Sequence, residues 1–262
     1  MKKVRKFFEV LKFENSIELL CGLILFKKTS ALTYKYKGVT ALVDHSYGDQ
    51  DGVRTCLVPG LYDALFETIG ADLTSKPLTI LDLGANTGGF PLALKAHNAK
   101  IKKGVCVELN PITCSRLSWN LAQNGLFEAV EVINGAICGV NEDLTVYLTS
   151  GSVGDSIFEN SPGDKEVKVK GCTADTLYSS HFSENEVIDL CKIDIEGAEY
   201  EMFNSGAVQS LKQSRWILME VHSRDGFDTA DIHKHIEELG FEEVKPVRPP
   251  IEHNVYLYKH KV

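Results

Sequence analysis

Two groups of residues in this sequence have the types and spacing that chemistry needs. The first is Thr79-Ile80-Leu81-Asp82-Leu83-Gly84-Ala85-Asn86-Thr87-Gly88-Gly89-Phe90 together with Glu108. The second is Asp194, Glu220 and His222. Thr79 to Leu83 is a mostly apolar run that predicts a strand covered on both faces. Gly84, Gly88 and Gly89 allow a sharp turn, and without a Cβ they let a ligand lie against the backbone. The helix that follows, from about Gly88 to Ala96, aims its first N–H groups at that ligand. The stretch therefore reads as a nucleotide-type cofactor turn at the carboxyl end of a strand.

Elimination narrows the cofactor. A dinucleotide fingerprint needs G-x-G-x-x-G, but the three positions here hold Gly84, Asn86 and Gly89. The middle position fails, where a pyrophosphate needs bare backbone. No Gly-Lys-Ser/Thr follows, so a Walker loop is absent. S-adenosylmethionine remains; it has no phosphate but needs a close turn and an acid for its ribose hydroxyls. Glu108 lies 24 residues after Gly84, at the end of the second strand, and can accept from both hydroxyls. Asp82 lies inside its strand, where a lone carboxylate is costly. It is expected to order the loop N–H groups or to meet the ligand's ammonium. Asn86 is expected to cap the helix or to bond the ligand's carboxylate. Asn134-Gly135-Ala136 ends the third strand, where the adenine would lie. The cofactor set is thus Asp82, Gly84, Ala85, Asn86, Gly88, Glu108, Leu109, Asn134, Ala136 and Asp194.

Transfer of a methyl group to a hydroxyl needs placement and a base. Asp194 and the pair Glu220 and His222 end the next two buried strands and are the catalytic candidates. Glu220 and His222 are two apart and share a face. His222 titrates near neutrality and is the preferred base. Asp194 has the alternative role of capping the helix near Gly197, a role Glu196 and Glu199 could share. Asp194, Glu220 and His222 also make an oxygen-rich set suited to a divalent metal.

The surrounding elements must hold these residues on one edge. From Leu78 onward, strand and helix patterns alternate, which implies a doubly wound, mostly parallel sheet in an α/β fold. Strands are predicted at 79–83, 104–108, 130–134, 187–193 and 215–221, with an antiparallel pair at 241–244 and 255–258. Helices are predicted at 88–97, 111–124 (opened by Asn110 and Pro111), 173–178, 198–205 and 231–239. The alternating runs 144–148 and 167–169 should pair, flanking a Ser/Gly/Asp-rich stretch at 149–165 that suits a substrate lid. Before the domain, 32–44 reads as a hairpin, 45–52 as a loop and 57–69 as one helix. This divides the chain into an N-terminal helical and hairpin extension, 1–52, and a main domain, 53–262.

Bulk properties bound the partners. A length of 262 residues suits one large α/β domain. The net charge of −8 argues against nucleic acid, whose binders carry a basic field. Seven cysteines, none in a C-x-x-C pair, read as reduced core residues of a cytoplasmic protein. Residues 1–28 hold seven basic and three acidic residues around apolar ones. The apolar run 17–26 is too short to span a bilayer. The segment reads as a docked helix, with a weak peripheral membrane contact as the alternative.

Three quoted stretches resemble a known family. Leu81-Asp82-Leu83-Gly84-Ala85-Asn86-Thr87-Gly88, Lys192-Ile193-Asp194-Ile195-Glu196-Gly197-Ala198-Glu199 and Leu218-Met219-Glu220-Val221-His222 are similar to motifs of FkbM-type S-adenosylmethionine-dependent methyltransferases. The first alone indicates only a class I methyltransferase; the second is far more specific. The resemblance runs from about 57 to 258. It implies the seven-stranded class I (Rossmann-like) sheet and O-methylation of a small metabolite, sugar or glycan, or polyketide-like hydroxyl. It requires no metal, and none is assigned. A non-catalytic S-adenosylmethionine-binding module is the main alternative; a nicotinamide oxidoreductase is a weaker one.

Overall fold

A computed structural model describes residues 7–25, 31–46, 49–58, 60–148, 165–251 and 254–261. Its centre is a seven-stranded sheet. In chain order the strands are β3 (Leu78–Leu83), β4 (Ile101–Glu108), β5 (Val130–Asn134), β9 (Ile188–Ile193), β10 (Ser214–Glu220), β11 (Phe241–Glu243) and β12 (Val255–His260). In space the order is β11-β12-β10-β9-β3-β4-β5. The neighbours among β10, β9, β3, β4 and β5 are parallel, whereas β12 runs antiparallel to both β10 and β11. Chain order reverses between β3 and β9, and ligands bind at such a switch point, outside the carboxyl ends of the strands.

Period-two alternation divides the core. Leu78 and Ile80 of β3 join one apolar cluster, while Leu81 and Leu83 join the other. The first face is covered by α4 (Gly89–Ala96) and α5 (Pro111–Gln123). The second is covered by α6 (Ala174–His181), α7 (Glu199–Asn204) and α8 (Thr229–Glu238). Asn110 caps α5 as expected, accepting from the N–H groups of Ile112 and Thr113. Thr173 does the same for α6 through Thr176 N–H.

The predicted pairing of 144–148 with 167–169 holds. β7 (Asp143–Leu148) and β8 (Lys165–Cys172) are antiparallel, and β6 (Ala136–Ile137) adds to β8 as a separate three-stranded sheet. The candidate lid lies between them, and its residues 149–164 fall outside the described residues.

Two expectations in the first quarter are corrected. The stretch 57–69 is not one helix. α2 (Asp49–Leu57) ends where α3 (Asp63–Ile69) has yet to begin, and Gly60 between them sits at φ +85°. That left-handed geometry breaks a right-handed helix, which the apolar spacing alone does not reveal. Of the stretch 45–52, read as loop, residues 49–52 form the start of α2. The 52/53 boundary therefore falls within a helix.

The hairpin β1 (Ala31–Tyr36) and β2 (Val39–Asp44) is present and docks on α5. Asn120 accepts from Leu42 N–H at 2.7 Å and donates to Leu42 O. One turn further on, Asn124 accepts from Thr40 N–H at 2.9 Å and donates to Thr40 O. Two amides spaced i, i+4 thus complete an edge strand whose backbone would otherwise lack partners. Asn120 also donates to Thr87 O, which ties the hairpin to the cofactor turn. Before the hairpin, Val10 and Phe13 are buried and Glu9 pairs with Arg54, so the docked reading holds for residues 7–25, which include α1 (Ser16–Leu25).

Candidate active site

The carboxyl ends of five strands bring the sequence candidates onto one edge. From β5 across to β10 they run Asn134, Glu108, the turn 84–88, Asp194, then Glu220 and His222. Glu108 ends β4 opposite Asn134. Both its oxygens accept backbone N–H groups at 2.8 Å, one from Asn86 and one from Asn110. The carboxylate is thereby held in one orientation beside the turn. Asn134 donates to Glu108 O and Leu109 O, which aligns the ends of β4 and β5. Leu109 packs beside the small sheet's apolar cluster, and Ala136 is buried within it.

The glycines make the expected sharp turn, and they are also closely packed. Gly84 is at φ +81°, but a Cβ there would lie 1.7 Å from Asp194 O. A Cβ on Gly89 would lie 2.6 Å from Cys56 Sγ of α2. Other parts of the chain press against both positions, so packing by itself already requires glycine there. Ala85 is likewise buried. Asn86 is at φ +48° and its side chain accepts from Thr87 N–H. It is not the helix cap; Gly88 holds that position without a side-chain bond.

Asp82 is corrected too. Its carboxylate is fully buried, and its partners are Lys192 Nζ at 3.4 Å and Cys106 Sγ at 3.9 Å, not the loop N–H groups. Asp82 and Lys192 are register partners on adjacent parallel strands. Lys192 Nζ also donates to Gly84 O at 2.6 Å and lies 3.2 Å from Asp194 Oδ2. Burial opposes the ammonium, but the charges of Asp194 and Asp82 override it and hold the Lys192 pKa well above the usual lysine range. Burial pushes the Asp82 carboxyl up, with Lys192 opposing. Sequence reasoning gave Lys192 no role. Its signal was a lysine inside an apolar strand, Leu190-Cys191-Lys192-Ile193.

Across the switch point, four carboxylates surround His222. Glu199 is fully buried and its Oε1 lies 3.0 Å from His222 Nδ1, while also accepting from Ile195 N–H. Nε2 then faces Glu196 Oε2 at 3.3 Å, Glu220 Oε1 at 3.5 Å and Asp194 Oδ1 at 3.9 Å. Asn254 donates to Glu220. Asp194 does not cap α7; its cap residue Ala198 has no side-chain bond, and Glu199 reaches back to Ile195 instead. Burial lowers the His222 pKa, but the bond to Glu199 and the charges of Glu199, Glu196 and Asp194 outweigh it and lift it to about 9. As the chain stands, the imidazole is protonated at neutral pH, which corrects the expectation of titration near neutrality.

A strand order that counts 3-2-1-4-5-7-6 along the sheet, with the seventh strand antiparallel, and an acid beside the first turn define a class I methyltransferase fold. The Methyltransferase FkbM domain matches residues 82–243, and the chain belongs to the FkbM methyltransferase family.

Among solved structures, an FkbM methyltransferase of Methylobacillus flagellatus KT is 16% identical, with a TM-score of 0.46. That likeness covers 70% of this chain but only 44% of the other, so this chain spans less than half of that protein's length. A putative RNA methyltransferase of Pyrococcus horikoshii is 16% identical over 79% of this chain and 86% of its own, with a TM-score of 0.42. The N-terminal domain of human METTL16 in complex with SAH is 12% identical over 78% and 68%, also with a TM-score of 0.42. No curated protein matches the sequence. The assignment rests on the family match and the strand order.

Proposed function

We propose that this chain is an S-adenosylmethionine-dependent O-methyltransferase acting on a hydroxyl of a small metabolite, sugar or glycan, or polyketide-like acceptor. One observation carries the reading: the turn 84–86 touches both halves of the edge. Asn86 N–H bonds Glu108 on one side, and Gly84 packs on Asp194 on the other. The cofactor supplies a methyl group on a sulfonium, an electrophile with a good leaving group. Glu108, pre-oriented by two N–H donors, takes the ribose hydroxyls. Asn134, Leu109 and Ala136 border the adenine position. The acceptor lies toward Asp194, Glu220 and His222, and a carboxylate of this cluster takes the hydroxyl proton as the new O–CH3 bond forms and the S–CH3 bond breaks. The family removes the nicotinamide alternative. The net charge of −8 supports a small acceptor over nucleic acid.

Titration with S-adenosylhomocysteine tests the reading. Wild-type protein should bind it. Glu108→Ala should weaken binding by about 100-fold, since two hydrogen bonds to a charged acceptor are worth about 3 kcal/mol together. Circular dichroism should show that the variant still folds, because it also loses the Asn86 and Asn110 contacts. Absence of wild-type binding at about 1 mM ligand, a free energy near −4 kcal/mol, would sink the proposal.

A cytoplasmic setting is supported by seven cysteines without a disulfide. The peripheral membrane contact of residues 1–28 is supported by Phe7, Phe8, Leu11, Ile17 and Leu23, all exposed. Residues 1–6 and 26–28 lie outside the described ones. No described helix is long and apolar enough to cross a membrane. Vesicles rich in phosphatidylserine should sediment the full chain at low salt, and Phe8→Ser with Ile17→Ser should reduce this. Equal recovery from neutral vesicles, or none from either, would rule the contact out.

A further inference from the structure

We propose that Asp194, Glu220 and His222 form a binding site for one hard divalent cation of the Mn2+ or Mg2+ class, with Glu199 positioning the histidine. One ligand atom from each of the three residues can be chosen so that all lie within 4.8 Å of one another. An octahedral ion with bonds of about 2.1 Å separates its ligand atoms by about 3.0 Å when adjacent and about 4.2 Å when opposed. His222 Nε2 stands 3.5 Å from Glu220 Oε1 and 3.9 Å from Asp194 Oδ1, between those limits. The three side chains bring their ligand atoms into one small region. Glu196 Oε2, 3.3 Å from the same nitrogen, supplies a third oxygen nearby.

Two further features point to a ligand. The first is Glu199, which is fully buried beneath the cluster. Its Oε1 takes His222 Nδ1, which leaves Nε2 as the outward nitrogen. A carboxylate behind the imidazole is how metal-ligating histidines are held in tautomer and orientation. Glu199 Oε2 is buried and has no hydrogen-bond partner among the described residues. The second is the density of carboxylates: Asp194, Glu196, Glu199 and Glu220 each bring an oxygen within 3.9 Å of the one imidazole. One nitrogen and several carboxylate oxygens suit a hard or borderline ion.

The site's role rests on the methyl-transfer reading, although its existence does not. On the acceptor side of the turn, the ion would take the acceptor hydroxyl as a ligand and lower its pKa, so that its proton passes to the Glu196 carboxylate beside the site as the methyl group is transferred. His222 would then act through the ion, as a ligand and not as the base.

The test uses the full chain after chelator treatment, titrated with MnCl2 under calorimetry and electron paramagnetic resonance. One Mn2+ should bind per chain. Glu220→Gln and His222→Ala should each weaken binding at least tenfold. Glu199→Gln should weaken it about tenfold, as loss of the outer partner does at histidine sites. Separate titration of the wild type with S-adenosylhomocysteine keeps the two readings distinguishable. Mn2+ binding without S-adenosylhomocysteine binding upholds the site and overturns the methyl-transfer role. No Mn2+ binding at about 1 mM, the weak end for carboxylate-rich sites, overturns the site, as does binding that Glu220→Gln and His222→Ala leave unchanged.

Discussion

Lys192→Met should cost about 3–5 kcal/mol of folding stability at neutral pH, as removal of one partner of a buried ion pair does. The lysine holds three groups at once: the buried Asp82 carboxylate, the Asp194 carboxylate and the carbonyl of Gly84. Methionine fills a similar volume but leaves Asp82 charged and alone in an apolar face. The melting temperature should fall by roughly 10 °C for a domain of this size. Adding Asp82→Asn should recover at least about 2 kcal/mol, because the two residues belong to one unit and their effects are not additive. A pH series adds a signed check. Burial already raises the Asp82 carboxyl, and loss of Lys192 raises it further. A carboxyl whose folded-state pKa exceeds its unfolded value contributes stability that is present below the unfolded pKa and lost as pH rises through the folded one. The Lys192→Met deficit should therefore be smaller near about pH 5 than near about pH 8. A deficit under about 1 kcal/mol, flat across that range, would show that the pair carries little.

Gly84→Ala should be as damaging, and for a reason unrelated to the cofactor. Alanine at φ +81° costs about 1–2 kcal/mol by itself. Its Cβ would also lie 1.7 Å from Asp194 O and 2.8 Å from Asp194 C. Neither backbone atom belongs to a flexible side chain that can swing away, so β3 and β9 must part at the switch point. We expect at least about 4 kcal/mol of destabilisation, or no soluble protein. Gly38→Ala is the control. It is also left-handed, at φ +73°, but has nothing within 4 Å. It should cost only the conformational term, about 1–2 kcal/mol. Chemical denaturation without any cofactor separates the explanations. If Gly84 were bare only to admit a ligand, Gly84→Ala would match Gly38→Ala in stability and lose binding alone.

Much of the fold was legible because buried parallel strands leave a strong mark. Leu78–Leu83, Ile188–Ile193 and Ser214–Glu220 are apolar runs between turn residues, and nearly every position in them is buried. Asn110-Pro111 announced α5 through its cap chemistry. Elements went astray where local pattern conflicted with backbone geometry. The spacing of Leu57, Leu61, Leu65 and Ile69 is helical, yet the chain turns at Gly60. The docking of the hairpin by Asn120 and Asn124 left no trace, since two asparagines on a helix are ordinary surface residues until a strand edge meets them.

By itself, then, the sequence determined which residues stand at the strand ends, because burial and turn chemistry are local properties. Glu108, Asp194, Glu220 and His222 could all be picked out that way, and Asp82 as a carboxylate inside its strand. What each residue touches was decided only by the tertiary structure. Asp82 was expected to order the loop N–H groups or to meet the ligand's ammonium, and instead meets Lys192, 110 positions away and in register with it on the neighbouring strand. Gly84 was read as open to a cofactor and is pressed against Asp194. His222 was read as a base titrating near neutrality, but it is held by Glu199 and faces three further carboxylates. Charge state and contact depend on what the sheet order brings together. Strands distant in the chain become neighbours across the switch point, and their summed field cannot be read from any one of them.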